Sequence, residues 1–315
     1  MKQAESREVA NPSRIIGSSR QKFLKNSVTA GVALAICPKS RAAEGSSPDP
    51  FPHEGKSVRI GKGNRCVLRF AHITDSHYYV INETQPNYAA FKKYMKSRTG
   101  WHTEKPAADV YQELQRRKVK LAIHTGDIID YSTDENRKFF ERMCSDIPFP
   151  VHYCLGNHDY QTLKIDSNAK AKWGYSNEAN NIVAWKKQVG LFTDRNYTFI
   201  RNGYRFICLD NALRKFDAKQ MTWLNTLLSS SVKMPCILCF HIPLYSKHME
   251  DVTKNKKALM PAEGEIYNLL ASHNNVAAIF AGHVHQNIES KINGIPQYTT
   301  KPTFQRSFRV VECYG

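Results

Sequence analysis

The chain has 315 residues, 41% of them hydrophobic and 23% charged, with 14 Pro and 16 Gly. That balance excludes a disordered or fibrous chain and allows a buried core of useful size. The formal charge of +17 suits anionic partners, but no Lys/Arg-dense tract with interleaved aromatics occurs, which argues against nucleic acid.

Residues 1–43 read as an export signal. They hold eight Lys/Arg against two Glu, so +6 of the charge lies there and +11 on the rest. Basic residues precede an apolar run, Val28 to Ile36, shorter than the about 20 residues a bilayer span needs. Ser40-Arg41-Ala42 follows as a small-residue cleavage site. Ser19-Arg20-Gln21-Lys22-Phe23-Leu24-Lys25 resembles the twin-arginine signal S-R-R-x-F-L-K, with Gln21 in place of the second arginine. The expectation is a bacterial protein, periplasmic or secreted, with no stable membrane span once the signal is removed. Residues 44–62, rich in Gly, Ser and Pro, read as linker.

Five apolar runs then read as strands buried on both faces. Val67 to Ile73 ends at Asp75-Ser76-His77, Val119 to His124 at Gly126-Asp127, and Val151 to Leu155 at Gly156-Asn157-His158-Asp159. Ile237 to Phe240 ends at His241, and Val276 to Ala281 at Gly282-His283-Val284-His285. Helical patterns lie between them: Ala107 to Lys118, a capping box at Ser132 and Glu135 opening a helix through Cys144, another at Asp217 and Gln220, and Glu263 to Ser272. Tyr197 to Ile200, Tyr204 to Asp210, Asn287 to Ile292, Gln297 to Thr300 and Phe308 to Glu312 read as later strands, with Asn293-Gly294 a hairpin turn. Residues 78–105 and 160–196 are aromatic-rich insertions, read as walls of a substrate pocket.

Strands alternating with helices predict an α/β fold. Ligands of open α/β sheets gather at the carboxyl ends of strands, and all five polar clusters lie at such ends. Cys66, Cys154, Cys208, Cys236 and Cys239 lie in the strand runs and are expected to be buried, inert thiols. Cys236 and Cys239 should face opposite sides of their strand. His72, His124 and His152 are expected in the core or on a sheet face.

Together the clusters supply two Asp, one Asn and four His, in the order D-x-H, G-D, G-N-H-D, H, G-H-x-H. Imidazole mixed with carboxylate suits Zn, Mn or Fe rather than Ca or Mg. Two cations about 3.5–4 Å apart need a shared carboxylate and clamp the attacking and leaving oxygens.

In that order the motifs resemble the calcineurin-like metallophosphoesterases over nearly all of residues 67–313. The resemblance implies two mixed β-sheets packed as a sandwich flanked by helices, a four-layer αββα fold, in one catalytic domain over 63–315. It implies that Asp75, His77 and His285 hold a first metal ion, that Asp127 bridges, and that Asn157, His241 and His283 hold a second, the ions being Mn, Fe or Zn. It also implies that His158 binds no metal. This histidine would instead donate a hydrogen bond or proton to the phosphoryl or leaving oxygen, with Asp130 orienting it.

The implied reaction is hydrolysis of a small-molecule phosphate ester by a water activated between the two cations. Purple acid phosphatases read D-x-G and G-D-x-x-Y where this chain has His77 and Asp130, so no ferric-tyrosinate colour is expected. Phosphoprotein phosphatases carry Arg-Gly where Tyr131-Ser132 stand, which argues against protein substrates. The D-x-H and G-N-H-D forms resemble bacterial cyclic-nucleotide phosphodiesterases and glycerophosphodiesterases, and equally phosphatases, so monoester and diester both stay open, as does the oligomeric state. The alternatives are a nuclease of the same superfamily and a silent scaffold of the same fold. The scaffold should lack a ligand or His158, and none is missing.

Overall fold

In the computed structural model, which describes residues 57–99, 104–145, 147–188 and 194–315, two mixed β-sheets face each other across a shared apolar layer. The first sheet runs β1 (Val58–Ile60), β13 (Arg309–Tyr314), β2 (Cys66–Ile73), β3 (Ala122–Thr125), β4 (Val151–Cys154). Strands β2, β3 and β4 are parallel; β13 is antiparallel to β2 and parallel to β1. The second sheet runs β11 (Ile288–Ile292), β12 (Ile295–Thr299), β10 (Val276–Ala281), β9 (Cys236–Cys239), β8 (Tyr204–Cys208), β7 (Tyr197–Arg201). Its four inner strands are parallel and a hairpin closes each edge.

Period-two alternation sends side chains into three layers. Between the sheets, Phe70, Ile123 and Cys154 meet Phe206, Ile237, Cys239 and Phe280. Phe70 lies edge-on to Phe206 and Phe280 at 5.2 and 5.6 Å.

Helices cover the outer faces. In chain order the first are α1 (Tyr88–Thr99), α2 (Glu104–Arg116), α3 (Asp134–Ser145), α4 (Asn157–Tyr160) and α5 (Glu178–Gln188). Ala107, Val110 and Leu114 of α2, Phe140 of α3 and Trp185 of α5 pack on Ala122, Val151 and Tyr153 of the first sheet. The remainder are α6 (Ala218–Ser230), α7 (Lys247–Thr253) and α8 (Glu265–Ser272). Met221, Leu224 and Leu228 of α6 and Ile266, Leu269 and Leu270 of α8 pack on Ile207, Leu238 and Ile279 of the second sheet. Each fully buried Leu, Ile or Phe contributes about 1.5–3 kcal/mol. The stack is helix, sheet, sheet, helix, the architecture expected. No helix among the described residues is long and apolar enough to cross a membrane.

Several local expectations need correction. The segment read as linker, 44–62, ends in a strand: Val58 and Ile60 are buried around an exposed Arg59 and pair with β13. A three-residue alternation is easily hidden in a Gly- and Ser-rich run. The cap of α3 is Thr133, whose hydroxyl accepts the Asn136 N–H at 3.2 Å; Ser132 instead donates to Asn181 at 2.6 Å. Cys66, at the start of β2, is exposed. The Asp217–Gln220 capping box forms as expected. Cys236 joins the outer layer and Cys239 the inter-sheet layer. The export signal read over 1–43 lies outside the described residues.

The two insertions have structure of their own. The first contains α1; the second begins as a hairpin, β5 (Gln161–Ile165) with β6 (Ala171–Tyr175), before α5. They bury Phe91, Met95, Ile165 and Tyr131 together, with Leu163 and Trp173 packed alongside.

Candidate metal centre

Every candidate ligand follows the carboxyl end of a strand: Asp75 and His77 follow β2, Asp127 β3, Asn157 β4, His241 β9, and His283 and His285 β10. The backbone there is unusual. Asp75, His77, Asp127, His283 and His285 all have positive φ, between 46° and 68°. Non-glycine residues adopt this region only at a cost, and such strain concentrates at functional sites. Here it is held by main-chain bonds, Asp75 N–H to the Gly126 carbonyl and His77 N–H to the Asp127 carbonyl, both 3.0 Å. The motif glycines permit the close approach. A Cβ on Gly156 would overlap the Asp127 backbone N and carboxylate, and one on Gly282 would overlap the Thr74 hydroxyl.

Asp75, His77, Asp127 and His241 form a buried floor, at most 2% exposed. Asn157, His158, His283 and His285 are half-buried around its mouth. Two ligand-like groups result, Asp75 with His77 and His285, and Asp127 with His241 and His283. His285 Nε2 is 3.2 Å from Asp75 Oδ1 and 3.4 Å from His77 Nε2. His241 Nε2 is 3.2 Å from Asp127 Oδ2, 3.1 Å from Asn157 Oδ1 and 3.2 Å from His283 Nδ1. Asp127 Oδ2 is also 3.7 Å from His77 Nε2, so this oxygen faces a histidine of each group.

The second contacts of these imidazoles decide whether the donors fit cations. His241 Nδ1 donates to the Thr125 carbonyl at 2.8 Å, and His77 Nδ1 donates to Asp130 Oδ1 at 3.0 Å. With Nδ1 protonated, each Nε2 aims a lone pair at other nitrogens and carboxylate oxygens. Acceptors facing acceptors repel unless a positive charge sits between them. The donor set of imidazole, carboxylate and amide oxygen suits Zn, Mn or Fe.

Protonation follows the same logic. Burial pushes the Asp75 and Asp127 carboxyls up, but His285 beside Asp75 and His241 beside Asp127 outweigh it and hold both below the usual carboxylate range. Burial works to lower His241, yet the Asp127 carboxylate brings it up to about 9. Burial, with His241 beside it, takes His283 down to about 4. A proton on His241 supplies positive charge beside Asp127, as a bound cation would.

His77, Asp130 and His158 form a third group, but a different one. Its two Nδ1 atoms donate to oxygens of Asp130, so the contacts that join it are hydrogen bonds. The Asp130 carboxylate lies 3.0 Å from His77 Nδ1 and 3.5 Å from His158 Nδ1. His158 Nδ1 instead donates to the Asp130 backbone carbonyl at 2.8 Å. Asp130 therefore meets His158 through its main chain, while its side chain serves His77. Burial holds the His158 imidazole below its ordinary pKa.

Two positioning residues were not singled out from the sequence. Asp159 accepts from the N–H groups of Ile128, Ile129 and Gly156 at 3.0, 2.9 and 2.7 Å, tying the Asp127 loop to the Asn157 loop. Its signal was its place as the final residue of G-N-H-D. Asn211 accepts from His241 N–H and Ile242 N–H at 3.1 and 3.0 Å; no motif marks it. His72 and His124 are buried, bonded to Thr125 and Ser76, while His152 is half-buried and stacks on Phe199 at 3.8 Å.

Comparison with known proteins places these features in context. The calcineurin-like phosphoesterase family model matches residues 68–287, a span holding every candidate ligand. A 3′,5′-cyclic adenosine monophosphate phosphodiesterase of Haemophilus influenzae is 22% identical over 250 residues, covering 79% of this chain and 81% of that protein. A probable cyclic nucleotide phosphodiesterase of a Pseudoalteromonas species is 24% identical over 238 residues, covering 75% and 78%. Among solved structures, a dimetal phosphatase from Danio rerio has the same fold, with TM-score 0.50 at 16% identity over 76% of this chain and 89% of that one.

Proposed function

The chain belongs to the calcineurin-like phosphoesterase family and is a phosphoester hydrolase, and on that premise we propose that it cleaves a small phosphate diester, cyclic nucleotides being the first class to test. The observation that carries the reading is the convergence of the His77 and His241 Nε2 atoms with the Asp127 carboxylate on a buried floor, each imidazole oriented by a hydrogen bond from its Nδ1. Asp75, His77 and His285 would hold one cation, and Asn157, His241 and His283 the other, with Asp127 shared. When bound, such a pair supplies an acidified water and positive charge for the phosphoryl oxygens. Support for a diester comes from the two phosphodiesterase relatives.

The chain's own residues have separable tasks. The buried floor excludes bulk water and strengthens electrostatic interactions. Asp130 fixes His77 through its carboxylate and His158 through its carbonyl. With Nδ1 thus engaged, His158 has Nε2 left for substrate. An anionic ester beside the ring favours its protonated form, so Nε2–H then donates to the phosphoryl or leaving oxygen. Residues 1–43 are proposed to direct export; N-terminal sequencing of protein from the periplasm or medium should find the chain beginning after that segment, and an intact leader there would count against it.

The test is a substrate panel on protein reconstituted with Mn, Fe or Zn: bis-para-nitrophenyl phosphate, para-nitrophenyl phosphate, cyclic AMP and single-stranded DNA. Faster turnover of the diester and cyclic nucleotide than of the monoester, with DNA uncut, is expected. Turnover of no ester with any metal would overturn the catalytic reading; a preference for the monoester would overturn the diester.

A further inference from the structure

We propose that Trp173, on the β5–β6 hairpin, is the residue against which the organic part of the substrate lies, and that it selects esters carrying a flat aromatic group such as a nucleobase. This rests on the phosphoesterase reading above and adds to it a residue that belongs to none of the ligand motifs.

Aromatic and imidazole rings lead outward from the floor in an unbroken row. His77 lies 4.6 Å from His158 between ring centroids, and His158 lies 5.5 Å from Trp173, the latter pair nearly perpendicular at 82°. An ester whose phosphoryl group rests against His77 and His158 must lay its organic group along one side of the mouth. On one side stands Phe304, 5.7 Å from both His77 and His285 but only 7% exposed. It is a wedge behind the ligands, with little surface to offer. Trp173, beside His158, is half-buried with part of its surface open.

Trp173 is also held still. Its indole N–H donates to the Tyr94 hydroxyl of α1 at 3.3 Å, it faces Leu163 across the hairpin, and it packs beside Phe91, Met95 and Tyr131. A large ring fixed before the ligand arrives loses little entropy on binding. Stacking of a base on an aromatic ring is worth roughly 1–3 kcal/mol, a few-fold to over a hundredfold in affinity. The hairpin thus has a use that packing alone does not explain. It carries a tryptophan to the one histidine at the mouth that the metal groups do not require.

The experiment compares two probes that differ only in the base, 5′-AMP and ribose 5-phosphate, titrated calorimetrically into Mn-loaded protein. Wild type should bind 5′-AMP at least about tenfold more tightly. Trp173→Ala should abolish that difference and leave ribose 5-phosphate binding unchanged, while Trp173→Phe should retain most of it. Equal weakening of both probes by Trp173→Ala would make the residue a structural support and overturn the proposal. So would an unchanged preference in that variant, or no preference in wild type. The two readings fail separately: a base preference without turnover of any ester sinks the hydrolase, and turnover without a base preference sinks the role of Trp173.

Discussion

Asp127→Asn perturbs the site with the least change of shape. The amide can keep accepting the His158 N–H, which Asp127 Oδ1 accepts at 2.8 Å. What disappears is the negative charge on Oδ2, 3.2 Å from His241 Nε2 and 3.7 Å from His77 Nε2. One unit charge facing another at about 4 Å is worth ~4 kcal/mol at an effective dielectric of about 20, roughly a thousandfold in affinity. Both cations should therefore bind at least about a thousandfold more weakly, and turnover should fall with them. The assay is metal titration followed by elemental analysis, with circular dichroism confirming the fold. NMR titration of the metal-free variant should show His241 shifted down, because Asp127 is what raises it. Metal content and affinity within a few-fold of wild type would refute the bridging role.

Other outcomes follow from the same geometry. His158→Ala should keep its metal and lose about 100-fold in turnover, the scale of a lost general acid; loss of metal would place His158 among the ligands. In metal-free protein His241 is raised to about 9, so it stays protonated in the fold at a pH where the unfolded chain, near 6.5, has released its proton. Its contribution to stability is complete below about 6.5 and lost as pH rises through about 9. A cation must displace that proton, so affinity should climb up to about tenfold per pH unit over the same window; calorimetric titrations at several pH values would test this, and a flat profile would contradict it. Gly156→Ala should destabilise by about 1–3 kcal/mol through overpacking and lower metal affinity, because the new Cβ meets the Asp127 backbone and carboxylate; unchanged melting and metal content would show that the loop can yield.

The parts of this site visible in the sequence were those marked by strong local patterns. Largely apolar runs ending in polar clusters located β2, β3, β4, β9 and β10, because strands buried over most of their length carry few polar residues, such as Arg69 in β2 and His152 in β4, until they leave the sheet. What escaped depended on geometry that residue type does not encode. The Asp130 carboxylate turns to His77 because His158 Nδ1 is engaged by the main-chain carbonyl next to it. Asp and His side chains do not announce the left-handed backbone that five candidate ligands adopt. The β5–β6 hairpin was unreadable as a hairpin because its outer face brings Lys164 opposite Lys172, a pairing that sheet energetics disfavours. Its inner face, with Leu163, Ile165, Ala171 and Trp173, gains its meaning only once α1 lies against it.

The most direct test of the central claim is metal stoichiometry after reconstitution with excess Mn, Fe or Zn and removal of unbound ion. Two equivalents per chain are expected, with hydrolysis of a phosphodiester appearing as the second is filled. Hydrolysis at zero or one equivalent, or two equivalents retained after Asp75 and Asp127 are both replaced by Asn, would contradict it.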